Sequence, residues 1–147
     1  MNKEHFYLDI FSSKEKAIHH CLWLNFKYRN AKITFGIING PENNYAFVEE
    51  ATAKEIEMEF LDILPKGYAE IDYNIIRHIR MDKDPLSHWE QITGCFSTMD
   101  GEILRFLIHT KMPIEKLIRY ELATRGFDKN HRWCGFIKSE EIWLNEN

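Results

Sequence analysis

The sequence predicts an α+β fold, namely a ferredoxin-like β-α-β-β-α-β antiparallel sheet with a C-terminal helical extension. Three observations predict it. β-rich and helix-patterned segments alternate over residues 1–82, clusters of turn formers separate them, and residues 83–147 have mostly helical spacing of apolar residues. The first six segments follow the split β-α-β order, in which two helices cover one face of a four-stranded sheet. A chain of 147 residues fits one domain, so we expect residues 83–147 to pack on the α/β part.

The first two elements are a strand and a helix. His5–Phe11 contains three aromatic side chains and an isoleucine, and predicts the first strand. Ser12 and Glu15 then have the spacing of a capping box, which predicts a helix from Ser12 to about Arg29. Its apolar residues form one broad face: Ala17, Ile18, Cys21, Leu22, Leu24 and Tyr28.

A hairpin is predicted next. Ile33–Ile38 and Tyr45–Val48 are β-rich, and the intervening residues 39–44, NGPENN, are dense in turn formers. Two antiparallel neighbouring strands follow from this pattern.

The fifth and sixth elements are a helix and a strand. Thr52 and Glu55 form a second capping box, and the helix after it has apolar residues at helical spacing: Ile56, Phe60, Ile63 and Leu64. Tyr68–Met81 alternates between apolar and polar residues and predicts the fourth strand. Helical spacing within the same segment leaves a helix open as the alternative: Ile71, Ile75 and Ile79.

The helical extension contains four short predicted helices. Capping and breaking residues delimit them: Gly94 closes the first, Ser97 or Thr98 begins the second, Pro113 begins the third, Gly126 closes the third, and Ser139 begins the fourth. The third helix has an apolar stripe that we expect to face a core: Ile114, Leu117, Ile118 and, less regularly, Leu122.

Composition excludes several classes of protein. The net charge of −4 gives the whole chain no general attraction to nucleic acid or anionic membranes. No apolar run approaches the roughly 20 residues of a membrane-spanning helix. The three cysteines are widely spaced and odd in number, which is typical of free thiols in a reducing cytoplasm. We therefore expect a cytoplasmic protein that does not bind membranes.

Charge is unevenly distributed along the chain. Residues 49–62 contain one base and six acids, a net charge of −5, and these acids are a candidate binding surface: Glu49, Glu50, Glu55, Glu57, Glu59 and Asp62. Residues 105–138 contain eight bases and three acids, a net charge of +5. Solvated helix faces are the alternative explanation for both, because exposed charge often serves only solubility.

Bases and aromatic residues are interleaved between Arg125 and Trp143. This combination can bind nucleic acid by stacking and phosphate contact. The residues that would do so, with one base from the preceding helix, are Arg119, Arg125, Lys129, Arg132 and Trp133. The alternative is that the aromatic side chains anchor a C-terminal loop. His88 and Trp89 likewise have two possible roles, because they could anchor a partner protein or pack inside this protein.

Metal and cofactor sites are not predicted. His19, His20 and Cys21 are consecutive on a helix and point in different directions, so they cannot share one ion. His131 and Cys134 have no second pair of ligands near them in the sequence.

The sequence also contains no recognisable catalytic motif. A site assembled from distant residues remains open, for example Cys95, His88 and Asp100. We expect a non-catalytic regulatory or inhibitory module that binds another protein through its charged and aromatic surface. The alternatives are a nucleic-acid-binding protein that uses the C-terminal helices, and an enzyme with a site assembled from distant residues.

Overall fold

The computed structural model describes residues 10–61 and 64–145. The chain divides into two compact units, the first ending at Cys95 and the second beginning at Phe96. The elements, in chain order, are β1 Ile10–Phe11, α1 Lys14–Lys27, β2 Phe35–Asn39, β3 Tyr45–Glu49, α2 Glu50–Glu55, α3 Tyr73–Met81, α4 Ser87–Ser97, α5 Gly101–His109, α6 Ile114–Ala123 and α7 Phe136–Leu144. No helix in these ranges is long and apolar enough to cross a bilayer. The predicted division into residues 1–82 and 83–147 stays a prediction.

The sheet of the first unit has three antiparallel strands in the order β1-β3-β2. β2 and β3 form the predicted hairpin, with Ile37 opposite Phe47. The turn between them places Glu42 and Asn43 at positive φ angles of 55° and 63°, which the predicted cluster of turn formers accommodates. β1 pairs with β3 through Ile10 and Phe11. The rest of the predicted strand His5–Phe11 lies outside the described residues.

β2 is buried on both faces of the sheet, which is why its sequence is a continuous apolar run. On one face, Phe35 and Ile37 pack with Phe47 against Ala17 and Cys21 of α1. The other face is covered by α2 and the residues after it, and its buried residues are Ile38, Ala46, Val48 and Ala53.

One glycine in β2 is required by packing. A Cβ at Gly36 would lie 2.5 Å from Cγ of Phe60, so the Phe60 ring lies directly on the strand. The backbone N–H of Leu61 then donates to the carbonyl of Ile37 at 2.9 Å. The segment after α2 therefore covers the second face of the sheet without forming a helix.

The cap of the first helix lies one residue after the predicted cap. Ser13, not Ser12, accepts a hydrogen bond from the backbone N–H of Lys16, so the predicted Ser12–Glu15 capping box is not used. Near the end of α1, the Asn25 amide makes hydrogen bonds of 2.7 and 3.2 Å with the backbone of Phe35. These bonds attach α1 to the start of β2.

The predicted helix after Thr52 is wrong. Thr52 lies inside α2 and is buried, and Glu49 is the residue that precedes the helix. Glu57 has a φ angle of 58°, which ends the helical path, and Met58 N–H donates to the Ala53 carbonyl. Burial of the short α2 against the sheet outweighs the helical spacing of the later apolar residues. Ile63, one of those residues, lies outside the described chain.

The predicted fourth strand is also wrong. Residues 73–81 form α3, and the Asp72 carboxylate caps it by accepting a hydrogen bond from Ile75 N–H at 2.9 Å. The helical spacing of Ile71, Ile75 and Ile79 prevails, and these three side chains are half-buried. The described residues therefore form a mixed α and β structure with a three-stranded sheet, and the ferredoxin-like order is not confirmed.

Helix boundaries in the C-terminal part differ from several predictions. α4 continues through Gly94 to Ser97, so neither Gly94 nor the predicted caps Ser97 and Thr98 act as expected. Asp100 caps α5 by accepting a hydrogen bond from Glu102 N–H. α6 begins directly after Pro113, as predicted to within one residue.

α6 and α7 are held together by a loop that folds back on itself. Gly126 has a φ angle of 80°, and its carbonyl accepts hydrogen bonds from Cys134 and Gly135 N–H groups. Ser139 was expected to begin α7, but it lies inside this helix and is fully buried. Its hydroxyl lies 3.2–3.3 Å from the carbonyls of Leu122 and Phe127, so burial against the loop decides its position.

Candidate functional site

A half-buried histidine on α1 is hydrogen-bonded to a tyrosine from a distant part of the first unit. His19 Nδ1 lies 2.7 Å from the Tyr68 hydroxyl, and the two rings are stacked with centroids 5.5 Å apart. His19 lies on helix α1, and Tyr68 lies in residues 64–72, the segment that precedes α3. This pair is the centre of the candidate site.

Burial shifts the pKa of both members towards their neutral forms. Desolvation lowers the pKa of His19 below its usual 6.5, although the nearby charge of Glu15 opposes this. Desolvation raises the pKa of Tyr68, and the indole N–H of Trp89 beside its hydroxyl counteracts part of that rise. Near neutral pH the pair is therefore an uncharged imidazole next to an uncharged phenol.

Two tryptophans extend the site along α1. The Trp89 ring meets both His19 and Tyr68 edge-on, with centroids 6.0 and 5.3 Å away. Among the described residues, the buried Trp89 Nε1 has no hydrogen-bond partner of normal geometry. His88 stacks on Trp23 with ring centroids 4.9 Å apart, and its pKa is lowered by burial and by the neighbouring His20 and His19.

Charged residues surround the aromatic cluster. Lys16 Nζ lies 3.0 Å from the Asp82 carboxylate and also donates to the Asp84 carbonyl. Burial acts to raise the pKa of Asp82, but hydrogen bonds from Asp84 N–H and Lys16 prevail and lower it. These bonds attach the end of α3 and the following turn to α1.

A cavity of about 800 Å³ opens beside the His19–Tyr68 pair. Its walls come from α1, residues 65–71 and the start of α3, and they are mainly apolar: Ile18, Leu22, Pro65, Ala69, Ile71 and Ile75. A second cavity of about 490 Å³ is also lined by His19, together with Trp89 and Asp82. Both volumes fall in the range of small-molecule sites.

The lowered histidine pKa values give the stability of the first unit a pH dependence. His19 and His88 bind a proton more readily in the unfolded chain than in the folded one. The free energy of unfolding should therefore have its full value above pH 6.5. It should fall as the pH drops below 6.5 towards the lower folded-state pKa values. Urea unfolding at a series of pH values measures this slope.

Histidine variants separate the contributions to that slope. His19→Gln should reduce it, and a variant with both His19→Gln and His88→Gln should reduce it further, because each substitution removes one shifted group. A stability that rises as the pH falls below 6.5, or a slope that neither variant changes, contradicts the assignment.

The acidic residues singled out from the sequence lie at the end of β3, on α2 and beyond it. Glu50 and Glu55 are on α2, where Glu50 pairs with Lys54 at 3.4 Å, and Glu57 and Glu59 are exposed but not helical. The remaining two members of the set are Glu49, which is half-buried at the end of β3, and Asp62, which lies outside the described residues.

The basic residues predicted as a binding surface lie in the second unit, where some form ion pairs and others are exposed in the loop. Arg119 pairs with Glu115 on the same helix, and Arg125 pairs with Glu121 on that helix at 3.0 Å. Lys129 and Arg132 are exposed in the loop. The fifth member, Trp133, stacks edge-on against two other aromatic rings, as an anchored loop would require: Phe127 and Phe136.

The apolar stripe of α6 has an unexpected environment. Its helical spacing predicts a core-facing side, yet Ile114, Leu117 and Ile118 are 40, 52 and 54% exposed. On α5, Ile103 and Phe106 are likewise 49 and 53% exposed. The second unit therefore presents large apolar side chains on two helices.

Candidate metal and catalytic residues have other roles in the structure. His131 stacks on Phe127, and the Cys134 thiol points to the Gly126 carbonyl. Asp100 caps α5. Residues 10–61 and 64–145 contain no group of three His, Cys, Asp or Glu side chains arranged to hold a metal ion.

The His19–Tyr68 pair was not found from the sequence, because 49 positions separate its members. The sequence pattern indicates only the half of the site that lies on α1. Glu15, His19 and Leu22 have the spacing of one helix face, and they line the same cavity. Nothing in the sequence indicates which distant residue meets that face. No family model, curated protein or solved structure matches this chain.

Proposed function

We propose that this chain is a non-catalytic regulatory or inhibitory module that binds another protein, with its second unit as the contact surface. The observation that carries the proposal is the exposure of the α6 stripe of Ile114, Leu117 and Ile118. Apolar helix faces of this kind normally lie against other apolar surface, and large exposed apolar patches are typical of protein-binding sites.

The second unit buries few of its described residues, which is why the exposed stripe on α6 is significant. Among its described residues only Ala123, Gly126 and Ser139 are buried, and all three are small. The large apolar side chains of α5 and α6 remain available to a partner. Burying them would gain roughly 25 cal/mol for each Å² of apolar surface removed from water.

Charge favours a protein partner over nucleic acid. Residues 96–145 contain eight bases and seven acids, so the excess of bases in residues 105–138 is offset by acids at the ends of the unit. Arg105 and Arg119 each pair with a glutamate on their own helix, and Arg125 pairs with Glu121 near the end of α6. Binding to phosphates requires unbalanced positive charge, and the same applies to anionic membranes.

The partner surface that fits is an apolar groove or helix face on a different protein. A near-neutral charge gives little electrostatic steering, so shape and apolar burial would determine specificity. The acidic residues Glu55, Glu57 and Glu59 are exposed and are the charged surface that the first unit offers for protein binding.

Matched substitutions on α6 test this proposal. The tagged chain is used to capture proteins from nuclease-treated host lysate, and the affinity of the captured protein is then measured with purified components. Leu117→Asn should weaken binding at least about tenfold, as truncation of a central apolar contact does. Lys116→Asn, at the neighbouring exposed position of the same helix, should bind like the original chain.

Several outcomes would overturn the proposal. Capture that disappears with nuclease would indicate nucleic acid. A chain that sediments as a dimer and becomes a monomer with Leu117→Asn would identify a second copy as the occupant. Equal binding by Leu117→Asn and Lys116→Asn, with both folded by circular dichroism, would remove the stripe from the interface. Charge reversal at Glu55 and Glu59 tests the acidic contact in the same assay.

A further inference from the structure

We propose that the cavity beside His19 and Tyr68 binds a neutral, mainly apolar small molecule that carries an oxygen acceptor such as a carbonyl group. All of its lining residues belong to the first unit, so the inference does not depend on the contact surface proposed for the second unit. Three features of the cavity favour such a ligand, namely the hydrogen-bonding groups of the His19–Tyr68 pair, the charges around the pair and the apolar walls.

Three side chains determine which group His19 offers to a ligand, namely His19 itself and its neighbours Tyr68 and Trp89. A tryptophan N–H can only donate, and Trp89 stands beside the Tyr68 oxygen. Tyr68 therefore directs its own proton away from Trp89 and donates it to His19 Nδ1, 2.7 Å away. Because a neutral imidazole carries one proton, that proton is then on Nε2.

His19 lines the cavity, and Nε2–H is thus the donor that its neutral ring can offer to a ligand there. Among the described residues, the only hydrogen bond of the His19 ring is the one from Nδ1 to Tyr68. An unpaired N–H in a partly buried site gains from any acceptor that reaches it. A ligand carbonyl oxygen satisfies this donor, whereas an ammonium group, which has no acceptor, does not.

The charges around the cavity favour an uncharged ligand. Its acidic and basic lining residues are Glu15, Glu70 and Lys66. Glu15 lies 3.3 Å from His78, whose ring it faces across the helix pair. An anion at His19 would approach Glu15 and lose its hydration against apolar walls, which is unfavourable without a compensating charge. A neutral head group avoids both effects.

The walls define the rest of the molecule. The cavity has an apolar lining formed by Ile18, Leu22, Ile71 and Ile75. A cavity of about 800 Å³ is large enough for an aromatic or branched aliphatic body. Apolar burial would supply most of the affinity, and the single hydrogen bond would set the orientation.

A matched series of probes tests the head group. Benzylacetone carries a neutral ketone on a phenyl-alkyl body, and hydrocinnamate and phenylpropylammonium carry an anion and a cation on similar bodies. The readout is the NMR signal of His19 in a chain with isotope-labelled histidine rings, assigned by its absence in His19→Gln. Benzylacetone should shift this signal in a saturable manner and bind more tightly than either charged probe.

Three variants test the location. Tyr68→Phe keeps the ring but removes the hydroxyl that orients His19, and should weaken benzylacetone binding roughly two- to tenfold. Ala69→Phe, at an exposed lining position, adds a bulky ring to the cavity wall and should weaken binding while the chain stays folded. Tyr73→Phe is the matched control, because Tyr73 is 84% exposed and is not part of the lining.

The contrary results are equally specific. The inference fails if saturating benzylacetone leaves the His19 signal unchanged, or if hydrocinnamate or phenylpropylammonium binds more tightly. It also fails if Tyr68→Phe and Ala69→Phe bind like Tyr73→Phe, since the probe would then lie elsewhere. Leu117→Asn, which tests the protein contact, should bind benzylacetone normally, so the two proposals can fail separately.

Discussion

Gly126→Ala is expected to lower the free energy of unfolding of the second unit by about 3 kcal/mol. Two effects combine at this position. Gly126 has a φ angle of 80°, which costs an alanine about 1–2 kcal/mol. A Cβ there would also lie 2.8 Å from Cη2 of Trp133, so the indole would have to move. Hydrogen exchange of α6 and α7 amides during denaturant titration measures the loss.

Gly101→Ala is the matched control for this prediction. Gly101 is the first residue of α5, and a Cβ there would meet only the flexible Arg105 side chain at 3.6 Å. Alanine favours the helix, so stability should stay unchanged or rise by less than about 1 kcal/mol. Adding Trp133→Leu to Gly126→Ala should recover the part of the loss caused by overlap. Equal stability of the two glycine variants would contradict the described loop.

Ile37→Ala is expected to destabilise the first unit by about 3 kcal/mol. Ile37 is 1% exposed and lies between Phe35 and Phe47 on the face covered by α1. Alanine removes apolar contacts and leaves a cavity that the neighbouring aromatic rings cannot close. The backbone hydrogen bond from Leu61 remains, so the loss reports packing alone.

Ile37→Val supplies the graded comparison. It removes one methyl group and should cost about 1 kcal/mol. Urea unfolding followed by circular dichroism gives both values. If valine and alanine cost the same, or if both cost less than about 0.5 kcal/mol, Ile37 is not at the centre of this core.

The hairpin could be predicted from the sequence because its signals are local. Two β-rich segments and the turn formers between them lie within residues 33–49, and the partner of each strand is its neighbour in the chain. The segment Tyr68–Met81 could not be decided in the same way, because its apolar residues satisfy both a period of two and a helical period. The Asp72 cap and one-sided packing of Ile75 and Ile79 decided it.

Capping residues were the least reliable local signal. The sequence suggests Ser12, Thr52 and Ser139 as helix starts, but Thr52 and Ser139 are buried inside helices. A small hydroxyl side chain can cap a helix or allow close packing, and only its tertiary surroundings distinguish these roles. The same limit applies to His19, whose partner Tyr68 comes from a segment with no site motif of its own.

The central position of β3 has a consequence for the order in which the first unit folds. β2 and β3 meet across the short turn of residues 40–44, so their pairing closes a small loop at low entropic cost. β1 can dock only on the outer edge of β3, across a much longer loop that includes α1. We therefore expect the hairpin to form first and β1 to join late, after α1 has packed on the paired strands.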